Sequence, residues 1–297
     1  MKKASTYIFS VLVTLLLIAV LIATAGLHLM KYRALSAGTC LQLMQTERLP
    51  ERVHLSLEKY YTEQENTSGI PLAVYADSIT EAQCEKHMRE LLSYTFNGLN
   101  AGGDETGITY NPDFSELETD MTAFFEDYAE KNDYEKDEKY QQTLQKAIDN
   151  AKSYIEQECD VFRSQTLREA GLLDKVKKYV PWISRGLIAC AASSVVLFVL
   201  LLIINRKEKG HVWYWLGNAL LVASILGLIP TVWLNVTRWF DKFAVKTDQI
   251  FAAVTGYLYG LTHAAATICG IGIVLAFCCY VVFMIQHRMH HARTNGR

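Results

Sequence analysis

Three long runs without a charged residue, all in the second half of the chain, constrain the fold more than any other feature. They cover Gly186–Asn205, His211–Thr237 and Gln249–His287. A helix of about 20 mostly apolar residues is long enough to cross the hydrocarbon core of a bilayer. The sequence therefore predicts three membrane-spanning helices. The third run is too long for one span, so we place its crossing at about Thr262–Ile285 and its first residues at the membrane surface.

All five tryptophans of the chain lie at the ends of these runs. Indole rings are amphipathic and favour the headgroup level of a bilayer, so this placement is typical of membrane helices. Trp213 and Trp233 are 20 positions apart, which in a helix is about 30 Å, the thickness of the hydrocarbon core. The predicted membrane-interface residues are Trp182, Trp213, Trp215, Trp233 and Trp239.

A fourth apolar run follows Lys2 and Lys3 and has no charge until Lys31. One interpretation is a cleaved signal peptide that covers residues 1–25; the other is an uncleaved anchor over residues 1–30. The apolar region of a signal peptide usually has about 7 to 15 residues, and this one is longer. We favour the anchor, which gives four spans in all.

The segment between the first two spans, residues 31–180, has a different composition. It carries 28 acidic and 17 basic residues, whereas the whole chain has a net charge of −2. Phosphate binding needs clustered lysine and arginine, so this acidic segment excludes a nucleic-acid partner. Its length is sufficient for a hydrophobic core. The chain then divides into an anchor (1–30), an acidic domain (31–180) and a three-helix membrane block (181–297).

Basic residues near the span ends predict the orientation, because short basic segments stay on the cytoplasmic side. Three basic segments fit the cytoplasmic side: the N-terminal lysines, the short loop between the second and third spans, and the C-terminal tail. This places both termini in the cytoplasm, domain 31–180 outside it, and the protein in the plasma membrane. The residues concerned are Lys2, Lys3, Arg206, Lys207, Lys209, Arg288, Arg293 and Arg297.

Apolar periodicity within the acidic domain predicts helices. Ser78 and Glu81 have the spacing of a capping box, with Asp77 and Thr80 as alternative caps, and a helix follows until about Gly98. Two further apolar stripes, Phe114–Tyr128 and Tyr140–Phe162, have helical spacing and should pack as an antiparallel hairpin.

Three connecting segments have other patterns. Alternating Val53, Leu55 and Leu57 and the apolar Pro71–Tyr75 favour two short strands. Proline suits the first turn of a helix, so Pro181 should begin the second span. Aromatic and charged residues alternate near 236–250, which predicts an interfacial helix in the outer headgroups.

The three cysteines of the domain, Cys40, Cys84 and Cys159, leave two possibilities open. A disulfide such as Cys84 to Cys159 requires an oxidising compartment, and the alternative is three free thiols in the core.

Few residues are candidates for chemistry. His287, His290 and His291 share one face of the helix that leaves the membrane, an arrangement that can bind zinc or copper, but we favour a basic inner flank that holds the last span in register. The acids between Asp104 and Glu138 lack the loop of a calcium site and fit a solvated helix face. Gly256 and Gly260 form a small-xxx-small pair that allows close helix packing, within the protein or with a partner.

Missing motifs exclude several enzyme and transporter classes. There is no nucleotide-binding, metalloprotease or serine-hydrolase motif, and none of the four predicted membrane cores holds a charge. We expect no cofactor. An enzyme would need a cleft in the outer domain that combines His54 or His87 with a perturbed carboxylate.

The order of one span, a large outer domain and three spans resembles the layout of FtsX- and MacB-type permeases. That resemblance implies a permease subunit acting with a separate ATPase, and such a subunit needs cytoplasmic surface to contact it. Here the predicted inner loop has six residues, Asn205–Gly210. The sequence thus favours an all-α, multi-pass, non-enzymatic membrane protein whose mainly helical outer domain binds or senses a ligand or partner. Its own expected partners are the lipid bilayer and a second copy or another membrane protein.

Overall fold

The computed structural model describes residues 2–100, 110–206 and 210–295. These residues contain helices and no β-strand, which confirms the all-α prediction. The α-helices are α1 (Lys2–Leu29), α2 (Ala37–Thr46), α3 (Leu49–Ser68), α4 (Glu81–Asn100), α5 (Ser115–Lys131), α6 (Glu138–Cys159), α7 (Ser164–Glu169), α8 (Leu172–Ile204), α9 (Gly210–Val236) and α10 (Asp248–Asn295).

Among the described residues, four helical segments are long and apolar enough to cross a membrane. They are Thr6–Ala34, Leu172–Ile204, Gly210–Val236 and Asp248–Met289. The first begins in α1 and ends in a π-helical turn, Met30–Ala34. The prediction of four helices with the length and composition of a membrane span is confirmed.

The chain forms two compact units. The spanning unit consists of residues 1–36, 178–242 and 258–297, and the domain unit consists of residues 37–177 and 243–257. The domain unit combines most of the segment between the first two candidate spans with the first turns of α10.

In the spanning unit, α1 packs against α9. Leu17, Leu201 and Val212 share a small apolar cluster, and the Asn205 amide donates to the Ser10 hydroxyl at 3.1 Å. Gly217 lets α10 approach closely, because a β-carbon there would lie 3.3 Å from the carbonyl oxygen of Ala276.

The core of the domain unit is formed by α3, α4, α5 and α6 with residues from α2 and α10. The hairpin of α5 and α6 is confirmed. Glu118 pairs with Lys152, and the rings of Phe125 and Tyr140 meet at 6.5 Å. Later residues of α5 thus meet earlier residues of α6, as an antiparallel pair requires.

The strand prediction at Val53–Leu57 is wrong, because these residues belong to α3. Val53 and Leu57 are buried, whereas Leu55 is 54% exposed. The buried positions are four apart, which is the spacing of one helix face. Pro71–Tyr75 likewise contains a single 3-10 turn, Leu72–Val74.

The interfacial helix expected near 236–250 is also absent from these described residues. Helix α9 ends at Val236, a 3-10 turn covers Trp239–Lys242, and α10 begins at Asp248. Arg238 has a left-handed backbone with φ of 45°, a conformation that interrupts an α-helix.

Two predicted helix starts differ from the structure. Helix α8 begins at Leu172 and continues through Pro181. Pro181 removes one backbone hydrogen bond from the interior of this helix without ending it. At α4 the cap is the alternative Thr80, whose hydroxyl accepts from the Gln83 N–H at 3.3 Å, while the buried Ser78 hydroxyl has no partner among the described residues.

Helix α10 differs most from its prediction, Thr262–Ile285. It is one uninterrupted helix of 48 residues. Ala252 and Ala253 near its start belong to the core of the domain unit, and Ala253 is fully buried. The beginning of the third charge-free run therefore contributes to the protein core.

Candidate functional site

The five tryptophans occupy the spanning unit. Trp182 is 64% exposed on α8. Trp213 lies beside Phe198 with ring centres 6.5 Å apart, and Trp215 lies 5.4 Å from Tyr7. The rings of Trp233 and Trp239 are 5.3 Å apart, so these two, at the end of α9 and in the following turn, form one aromatic pair.

The histidine cluster is only partly described. The His287 ring stacks on Phe283 at 5.7 Å within α10, and the side chains of His290 and His291 lie outside the described residues. In the part of the chain that the structure describes, no three histidine, cysteine, aspartate or glutamate side chains are grouped to hold a metal ion.

The two glycines of the small-xxx-small pair have different surroundings. A β-carbon on Gly256 would lie 2.8 Å from a methyl carbon of Leu43 and 3.2 Å from the γ-carbon of Glu47. A β-carbon on Gly260 would meet no described atom within 4 Å. Gly256 thus allows α10 to contact α2 inside the domain unit.

An ion pair holds the first residue of α10. The Arg52 guanidinium on α3 donates to the Asp248 carboxylate at 2.5 Å. The same guanidinium donates to the Glu47 carbonyl oxygen at 3.0 Å. Because Arg52 is held at two points, the contact also fixes the turn between α2 and α3 relative to α10.

The next residue, Gln249, is 4% exposed and joins three helices. Its side-chain amide donates to the Glu158 carboxylate on α6 at 2.5 Å and to the Ser56 hydroxyl on α3 at 3.3 Å. The Ser56 hydroxyl itself donates to Glu158 at 3.2 Å. We call Arg52, Ser56, Glu158, Asp248 and Gln249 the anchor cluster, since together they attach α10 to the domain unit.

A polar cavity of about 310 Å³ adjoins the anchor cluster. It surrounds the turn at Arg48, which has a left-handed φ of 49°. Guanidinium and carboxylate groups in its lining offer both donors and acceptors to a small polar molecule. Its lining residues are Thr46, Glu47, Arg48, Glu51, Arg52 and Leu55.

A second cavity, of about 500 Å³, lies in the spanning unit between α1, α9 and α10. Its wall is almost entirely apolar, and Thr24, His28 and Ser224 are among the few polar residues there. The Thr24 hydroxyl is already used, because it donates to the Val20 carbonyl oxygen at 2.7 Å. This cavity is suited to apolar groups.

The two histidines considered for an enzyme lie on different helices, His54 on α3 and His87 on α4. His54 Nδ1 lies 2.7 Å from the Ile79 carbonyl oxygen, and Glu58 is 4.0 Å from Nε2. His87 is 2% exposed and packs on the Phe114 ring. Burial lowers the pKa of His87, while hydrogen bonds from Ser115 lower that of the exposed Asp113 nearby.

The anchor cluster has the geometry of an attachment, since its polar groups bond to one another across α3, α6 and α10. Comparison of the chain with protein-family models, with characterised proteins and with solved structures finds no match. The sequence did not reveal the anchor residues, because Asp248 and Gln249 stand at the start of a charge-free run and resemble the border of a membrane span. Gly256 was the nearby residue whose pattern predicted close helix packing.

Proposed function

We propose that the protein is a non-enzymatic receptor of the plasma membrane, with domain 31–180 outside the cytoplasm and both termini inside it. The domain binds or senses an outside ligand or partner, and α10 carries the resulting change into the membrane. The four spanning helices anchor the protein and provide surface for a second copy or another membrane protein.

The attachment of α10 to the domain unit is the observation that carries this proposal. Ala253 is fully buried in the domain core, and Gln249 bonds to both α3 and α6 through Ser56 and Glu158. From this point the same helix continues without a break as the last candidate span. In this proposal the signal is a shift of the first turns of α10 when a ligand binds.

The polar cavity gives a ligand a route to this helix. Arg52 lines the cavity and also holds Asp248. A ligand carboxylate bound to Arg52 would compete with Asp248 for the same guanidinium. Occupancy of the cavity and the attachment of α10 are therefore linked.

Isolation from native membranes in a mild detergent tests the proposal against the permease alternative. We expect the chain alone, a homo-oligomer, or a complex with a membrane protein that does not hydrolyse ATP. A stoichiometric partner with ATPase activity would contradict the receptor and favour a permease subunit. A Gln249→Leu variant, isolated in parallel, shows whether any partner depends on the anchor cluster.

A further inference from the structure

Two cysteines of the domain unit lie side by side in its core. Cys84 is in the first turn of α4 and Cys159 is the last residue of α6. They are 0% and 2% exposed. Both are free thiols in the structure and belong to one core cluster. The neighbouring Cys84 thiol and burial raise the pKa of Cys159, and the Cys84 sulfur donates to the Ile79 carbonyl oxygen at 3.5 Å.

Helices α4 and α6 contact each other in the domain unit. Cys84 and Cys159 lie at the termini of these helices, where a small movement of the backbone can bring two sulfurs into disulfide geometry. The third cysteine of the unit, Cys40, lies in a different element, α2. The pair is therefore distinguished by mutual contact, which spacing along the chain could only suggest.

We propose that Cys84 and Cys159 form a disulfide that fixes the start of α4 to the end of α6 in the mature protein. This inference rests on the proposed placement of the domain outside the cytoplasm, where disulfides persist. The bond closes a loop of the chain that contains the hairpin of α5 and α6.

The chemistry is a thiol–disulfide exchange with the disulfide of a thiol-oxidising protein in that compartment. One cysteine thiolate attacks the oxidant's disulfide and releases one of its sulfurs as a thiol, which leaves a mixed disulfide. The second cysteine then attacks the mixed disulfide, forming the Cys84–Cys159 bond and releasing the second oxidant thiol. The two cysteines are oxidised and the oxidant becomes a dithiol. The exchange precedes closure of the core, since both sulfurs are buried afterwards.

The first experiment counts free thiols in the full chain. Membranes are acidified to stop thiol exchange, denatured, and treated with a maleimide-linked polymer. Each modified thiol slows the migration of the protein on a gel. Without reductant we expect two fewer modifications than with it. The difference should vanish in Cys84→Ser and Cys159→Ser and persist in the matched control Cys40→Ser. Equal modification of the wild-type chain with and without reductant would overturn the proposal.

A second measurement does not depend on the serine variants folding. The wild-type chain, purified in detergent without reductant, should lose about 10 °C in its unfolding midpoint when a reductant is added, because Cys84 and Cys159 are 75 positions apart and a bond over such a loop stabilises a domain substantially. An unchanged midpoint would count against the bond.

Outside labelling of Ser68→Cys separates the two ways in which the bond proposal can fail. Free thiols at 84 and 159 together with labelling at position 68 on intact cells would overturn the disulfide and leave the receptor's orientation intact. Free thiols with position 68 labelled only after the cells are permeabilised would overturn both.

Discussion

The guanidinium of Arg52 lies 2.5 Å from the Asp248 carboxylate, so a helix of the domain unit is bonded to the residue at which the last spanning helix begins. The next residue, Gln249, is buried, and its amide donates to the Glu158 carboxylate on α6. The two contacts differ in their exposure to solvent, and this difference predicts which of them stabilises the domain.

Gln249→Leu should lower the free energy of unfolding by about 1–3 kcal/mol, because it removes the buried amide that donates to Glu158 and Ser56. Thermal or denaturant unfolding of the full chain in detergent measures this. The matched control Gln145→Leu, on the exposed side of α6, should change stability by less than about 0.5 kcal/mol. Equal effects at the two positions would contradict the anchor cluster.

Asp248→Ala should have a smaller effect, about 0–1 kcal/mol, since the ion pair is exposed. The Arg52 and Asp248 side chains are 39% and 73% exposed. High salt should reduce the difference between wild type and variant still further. A loss as large as that of Gln249→Leu would show that the exposed pair, and not the buried amide, holds α10.

Gly256→Leu should destabilise the domain by about 1–3 kcal/mol through overpacking, because even a β-carbon would lie 2.8 Å from Leu43. Gly260→Leu, four residues along the same helix, meets no described atom within 4 Å of its β-carbon and serves as the control. The unfolding midpoints of the two variants give the comparison. Similar losses in both would mean that helix packing at Gly256 is not specific.

Stability should fall as the pH drops below about 6.5, the ordinary pKa of histidine. Burial lowers the pKa of His87, with Lys86 adding to that shift and Asp113 opposing it. The unfolded chain therefore binds a proton that the folded chain excludes, and protonation favours unfolding. Replacing His87 with phenylalanine keeps a ring against Phe114 and should reduce the loss of stability between pH 7.5 and pH 5. An identical pH profile in wild type and His87→Phe would contradict this assignment.

Arg48→Gly should stabilise the domain by about 1 kcal/mol, because glycine adopts a left-handed backbone without the steric cost of a β-carbon. Arg48 has φ of 49° and a weak pair with Glu51 at 3.7 Å. Arg48→Ala removes the same charge and keeps the strain, so it should not be stabilising. If alanine and glycine have the same effect in denaturant unfolding, backbone strain at this turn is unimportant.

Composition was sufficient to predict the four apolar helices, because a bilayer span requires a length and a freedom from charge that are visible directly in the sequence. The α5 and α6 hairpin followed from helical periodicity. A local sequence pattern was insufficient where a strand and a helix can both carry it. Val53, Leu55 and Leu57 alternate as in a strand, but tertiary packing buries only the first and third on α3.

The anchor cluster could not be predicted for a related reason. Ala252 and Ala253 are small apolar residues in a charge-free run, and such residues pack equally well in a membrane or in a protein core. Only the fold decides between them, since burial of Ala253 depends on α3 and α6, which are distant in sequence. The close packing of Gly256 was visible as a motif, while its partner Leu43 was not.

The measurement that tests the central claim most directly is labelling of single introduced cysteines on intact cells with a membrane-impermeant maleimide. Ser68→Cys, at the exposed end of α3, and Arg206→Cys, just beyond α8, are compared with the parent chain as background. An outward-facing receptor domain predicts labelling at position 68 and none at position 206 until the cells are permeabilised. Labelling at 206 but not at 68 would contradict it, because the domain would then face the cytoplasm.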